Sequence, residues 1–145
     1  MAQGDIVVFE EAKAKMLDGD WASTDLFHLA ICDDTATPAA GTATPVIGDF
    51  TQVGAAGTYV TDGTSLGALS ALVTEAAGTM TFDSATNPTW AQDASNDVDA
   101  YWGIIFNYTD AGKDALAFVD LGGPVDMSAG DLTITWNASG IFTIV

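Results

Sequence analysis

His28 and Cys32, the one histidine and the one cysteine, are the side chains whose chemistry is most readily enlisted. A Cys–His or Ser–His–Asp nucleophile needs its imidazole within hydrogen-bond reach. Four residues apart on a strand, the two side chains share a face but stand about 13 Å apart, too far for direct proton transfer. One His and one Cys also fall short of the three or four N/S ligands of a zinc site. His28 therefore reads as a packed or hydrogen-bonded strand histidine. Cys32 reads as a small buried hydrophobe, and a lone cysteine leaves no intramolecular disulfide framework.

Residues 93–99, Asp-Ala-Ser-Asn-Asp-Val-Asp, carry oxygen ligands at alternate positions, as the opening of a calcium loop does. The sixth position, where such a loop needs Gly, holds Val98, and the closing acid is replaced by Ile104. The stretch reads as a solvated acidic loop. Trp90, Tyr101 and Trp102 flank it. Exposed aromatics beside carboxylates can form a sugar platform, but bulky residues at strand ends more simply fill a core. The acids are mostly Asp, so carboxylate pairs suited to glycoside hydrolysis carry little signal. The glycines open no phosphate loop ending in Lys. The sequons at Asn107 and Asn137 matter only in a secretory setting, which nothing else supports. The expectation is a protein that is not an enzyme, with no cofactor and no metal.

Charge narrows the partners. The chain of 145 residues has 20 acids against 3 basic residues, a formal charge of −17. Three lysines cannot build a phosphate-neutralising face or hold an anionic membrane, so neither nucleic acid nor membrane is expected as partner. With 48% apolar residues and 10% aromatics, the chain is nonetheless no disordered acidic tail. A domain of this length buries roughly 70% of its unfolded-chain surface. No segment approaches the ~18 apolar residues of a membrane span, and no secretory leader is visible.

Asp, Thr and Gly in quantity favour short strands and tight turns over a helical bundle. Residues 1–9 read as an N-terminal arm carrying a small apolar run, and residues 10–145 as a single β-rich domain. Residues 10–18 form the one helical segment: Phe9, Ala12 and Met16 share a face, Glu11 and Lys15 are spaced to pair, and Gly19 is placed to stop it. Residues 25–32 alternate with both faces apolar, which suits a central strand. Residues 33–45, with Thr-Ala-Thr-Pro twice, form a loop. Further strands are expected at 50–53, 58–61, 78–83, 101–108, 116–121, 131–136 and 141–145, with 122–124 breaking the strand before it. An apolar final strand implies a buried C-terminus. The fold class is mainly β: an antiparallel β-sandwich or small barrel with one short N-terminal helix.

The order of these features resembles a known group. The helix ends in Leu17-Asp18-Gly19 and is followed by Trp21 and the strand from Thr24 to Ala30. Then come Phe50-Thr51-Gln52-Val53, Gly57-Thr58-Tyr59, Phe82-Asp83 and Pro88-Thr89-Trp90. Residues 101–107 (YWGIIFN), 116–122 (LAFVDLG), 130–137 (GDLTITWN) and 140–142 (GIF) complete the pattern. This resembles the small virion structural proteins of tailed bacteriophages, over nearly the whole chain and most strongly from Tyr101 to Phe142. The shared residues are core aromatics, an antiparallel pair and turn glycines. The resemblance implies a β-rich fold and a virion role, and it transfers no catalytic or binding residues.

The leading expectation is a capsid decoration (cement) protein, made in the host cytoplasm and bound to the outer face of the head shell. Its partners would be the major capsid protein and copies of itself on the lattice. Ile6, Val7, Val8 and Phe9 are the candidate docking residues, ordered on binding by strand addition or by lying in a groove. The alternative is a tail- or fibre-associated virion protein with carbohydrate or receptor contact.

Overall fold

A computed structural model describes the whole chain, residues 1–145. The protein is mainly β, built from open antiparallel sheets with two helices and no closed barrel. In chain order the elements are β1 (Ile6–Val8), α1 (Glu10–Asp18), β2 (Leu26–Cys32), β3 (Thr64–Ala68), α2 (Leu69–Leu72), β4 (Val73–Ala76) and β5 (Thr79–Phe82). They continue with β6 (Thr89–Trp90), β7 (Ala100–Asn107), β8 (Ala115–Val125), β9 (Leu132–Thr133) and β10 (Phe142–Ile144).

The main sheet runs β1-β8-β7-β2-β3, with every neighbour antiparallel. Its centre is built from the three longest strands, β8, β7 and β2. Pairing of Leu29 with Ile105 and of Gly103 with Val119 sets Phe27, Leu29, Ile31, Ile105 and Val119 on one face. Ala30, Cys32, Ile104, Phe106 and Phe118 occupy the other. Both faces are covered. Phe82 of the β10-β5-β4 sheet meets Phe27 edge-on at 5.9 Å, and Ile134 beyond the β6-β9 ribbon reaches the surface around Gly103. On the opposite face Phe9 lies 5.1 Å from Phe118 and 6.1 Å from Phe50. One continuous core of 31 buried apolar residues joins all three sheets. It is made of layers packed face to face, as in a sandwich.

Several expectations need correcting. The small barrel is not formed: β1 and β3 are free edges of the main sheet. Ile6, Val7 and Val8 do not belong to an arm, because their apolar side chains are half-buried in the sheet and pair with Val119, Phe118 and Ala117. Residues 50–53 and 58–61 are not strands; Gln52 makes only an isolated bridge to Cys32. Strand β8 passes through Gly122, Gly123 and Pro124 instead of breaking there, with Gly122 at φ +72°. The C-terminal strand is an edge of the small sheet, so Ile144 is exposed and Val145 almost wholly so. A second, four-residue helix, α2, interrupts residues 66–75.

Helix α1 has its expected bounds. Gly19, at φ +75°, returns its N–H to the Lys15 carbonyl. Lys15 does not depend on Glu11 for a partner: its Nζ bonds Asp114 at 2.5 Å, pinning the helix to the start of β8. Glu11 instead accepts the Thr44 N–H. The aspartates behave as turn chemistry requires. Asp5, Asp33, Asp49, Asp93, Asp110 and Asp126 each accept a main-chain N–H two or three residues away.

Gly103 marks where the layers press closest. A Cβ there would stand 2.6 Å from Val119 Cγ1 and 3.2 Å from Leu29 Cδ1. Gly103→Ala is expected to destabilise by about 1–3 kcal/mol through overpacking. Urea denaturation measures it, and adding Val119→Ala should recover part of the loss. Equal stability of Gly103→Ala and the parent would contradict the close approach.

Candidate docking site

The expected docking residues divide on inspection. Phe9 is fully buried between Phe118 and Phe50, so it anchors the core and cannot meet a partner. Ile6–Val8 form the terminal strand of the main sheet. The Asp120 N–H donates to the Asp5 carbonyl, and the Phe9 N–H donates to the Leu116 carbonyl. By the alternation of an antiparallel ladder, Asp5, Val7 and Phe9 turn their main-chain groups toward β8. Ile6 and Val8 turn theirs outward, where no strand pairs with them. An edge of this kind is a template for another strand.

Beside this edge lies an open groove of about 670 Å³. Ile6, Val119 and Leu121 line it from the main sheet, and Leu132 of β9 with Ile134 and Trp136 beyond it from the other side. Asp5, Asp120 and Asp131 also line it. The apolar lining alternates with exposed residues along 132–137, which is why that segment runs extended past its short paired portion. Sequence periodicity identifies these apolar residues. It carries no signal that the second layer stops short of β1, because that depends on how far each small sheet reaches across the first.

The other singled-out residues serve structure. His28 Nδ1 lies 3.1 Å from the Asp62 carbonyl, which can only accept, so Nδ1 carries a proton and donates it there. Its ring stacks on Tyr108 at 4.0 Å with 5° between planes. Lys113 bonds the Asp62 carboxylate at 2.6 Å and lies 5.2 Å from the Tyr108 ring centroid. Asp62 and Gly63 both have positive φ, +70° and +66°. The turn they form brings Gly63 so near the Leu29 carbonyl that a Cβ would stand 1.9 Å away. The cluster fastens β2, the 60–63 turn and the β7–β8 connection. Cys32 is fully buried, and burial pushes its thiol up to about 12. A thiol so held is a poor nucleophile at neutral pH.

The acidic loop is a clasp. Asn96 is buried, its side-chain oxygen accepts the Thr58 N–H at 2.7 Å, and its amide donates to the Ala91 and Met127 carbonyls. Asp97 accepts the Gly54 N–H and, locally, those of Asp99 and Val98, which hold its carboxyl below the usual range. No group of three or more His, Cys, Asp or Glu side chains is placed to hold a metal ion. Trp90 is in the core beside Tyr59, and half-buried Trp102 packs edge-on against Phe118. Asn107 is buried and committed, donating to Asp25 at 2.8 Å and accepting the Thr109 N–H, so that sequon is not presented. No helix is long and apolar enough to cross a membrane.

A scan against models of known families finds no match, and searches of curated proteins and of solved structures return none.

Burial holds the His28 imidazole below its ordinary value, against the raising pull of the Asp62 carbonyl and carboxylate; Lys113 lowers it further. Below about pH 6.5 the unfolded chain thus binds more protons than the folded one. Stability falls as the pH drops from there toward the depressed folded value. His28→Phe is expected to remove this part of the slope. Urea melts between about pH 7.5 and about pH 5.5, above the main carboxylate range, test it. A slope identical to the parent's would show that the imidazole titrates alike in both states.

Proposed function

We propose that the protein is a structural component of a tailed-phage virion, bound as a decoration protein on the outer face of the head shell. The observation that carries this reading is the unpaired edge of β1 beside a groove with an apolar lining, on a chain of charge −17. A subunit that docks on a preformed lattice needs a rigid body and one adhesive strip. The core supplies the first. The outward main-chain groups of Ile6 and Val8 supply the second, by strand addition to a capsid segment. The acid coat elsewhere keeps decorated particles apart through like-charge repulsion. The resemblance of residues 101–142 to virion structural proteins supports the same reading. On this reading docking uses the backbone of β1 rather than an arm that folds on contact, and Phe9 stays in the core.

The experiment is to isolate tailed particles from the source that expresses this chain and locate it by electron cryo-microscopy. Density for this fold on the outer head surface, joined to the shell through β1, is expected. Density on the tail would move the protein to the tail- or fibre-associated role, and absence from particles would overturn the virion reading. Ile6→Pro removes one outward donor while leaving the Val7 pairing with β8 in place. It is expected to lower head occupancy at least tenfold, whereas Ile6→Val, which keeps the donor, should dock normally.

A further inference from the structure

The groove has two extended walls with main-chain groups to spare. On one side are Ile6 and Val8, as described. On the other, Ile134 donates its N–H to the Pro88 carbonyl at 2.9 Å, and Trp136 donates its own to Asn87 Oδ1 at 3.0 Å. Alternation then turns the main-chain groups of Thr133 and Thr135 away from β6, and both residues line the groove. Val119, Leu121, Ile134 and Trp136 provide apolar surface between the walls.

The charged groups are all of one sign. Asp5, Asp120 and Asp131 each spend one carboxylate oxygen on a main-chain N–H, from Ala2, Gly122 and Gln92, each at 2.7 Å. Those bonds hold the three side chains in place and leave the second oxygen of each without a protein partner. No lysine lines the groove; Lys13 and Lys15 lie on α1 and Lys113 precedes β8.

We infer that the groove takes an extended segment of a partner protein in which apolar residues alternate with Lys or Arg. Strand addition to a free wall satisfies the main-chain groups, every second side chain enters the apolar lining, and the intervening cations meet Asp5, Asp120 and Asp131. A second copy of this chain is a poor occupant, since it brings another −17 and has no extended segment bearing lysines. The inference rests on the docking reading above and names the chemistry of what docks.

The test titrates the full ¹⁵N-labelled chain with three peptides of equal length. One alternates Lys and Val, one alternates Glu and Val, and one has the first composition with its lysines in a single block. The alternating Lys–Val peptide is expected to bind in the micromolar range and to shift the amides of Ile6, Val8, Leu121, Thr133 and Thr135. The Glu–Val peptide should not bind, and the block peptide should bind at least tenfold more weakly. Asp120→Asn with Asp131→Asn should weaken the Lys–Val complex about five- to tenfold, the size of two rim ion pairs. Equal binding of the alternating and block peptides, or shifts scattered over the acidic loops, would overturn the inference in favour of bulk charge attraction. A free chain that sediments as a dimer with these amides shielded would overturn it in favour of a second copy. Failure of the peptide alongside head docking that Ile6→Pro abolishes sinks this inference and leaves the docking reading standing. Groove-specific peptide binding by a chain absent from particles does the reverse.

Discussion

The strands β2, β7 and β8 are buried on both faces, and most of the architecture follows from that. A sheet with Phe27, Leu29 and Ile31 on one side and Ala30, Ile104 and Phe106 on the other offers no face to water. Two covering layers are then obligatory in a chain too short to build two more full sheets. It covers one face with two small sheets and the other with Phe9 and the 47–53 stretch. Such partial covers leave gaps, and one of about 670 Å³ lies where the second layer stops short of β1.

The central strands and the first helix were legible because each is set by a local rule. Alternation with two apolar faces identifies a central strand, and the i, i+3, i+7 spacing with a closing glycine identifies α1. What escaped depends on reach. An apolar run such as Ile6-Val7-Val8 has the same pattern whether it pairs with its own sheet or with a partner's; what decides is that β8 has a side left free at Ala117–Val119 to receive it. Gln52 and Tyr59 looked like strand residues, but their side chains form a hydrogen-bond relay instead. The Tyr59 hydroxyl donates to Gln52 at 2.7 Å and accepts the Ile31 N–H at 3.2 Å.

The candidate edge was half legible. Its apolar run, Ile6–Val8, stands out in the sequence, but Phe9 proves to be buried, since an aromatic at the end of an apolar run looks the same facing inward or outward. The groove beside it was not found. Its two walls come from positions more than a hundred residues apart, Ile6 and Thr133–Trp136, and no spacing rule connects them. Residues 93–99 read as a solvated acidic loop, yet Asn96 and Asp97 bond to residues 54, 58, 91 and 127 and lock that corner of the fold.

The scarcity and placement of cations bear on durability toward proteases. Proteases that cut after Lys or Arg find three bonds in the whole chain. Two follow residues on a folded helix, and of these Lys15 is tied to Asp114. The third follows Lys113, which is held at φ +53° and bonded to Asp62. The composition that repels phosphate also leaves trypsin-like enzymes almost nothing to grip, so resistance to digestion comes with the charge and needs no further device.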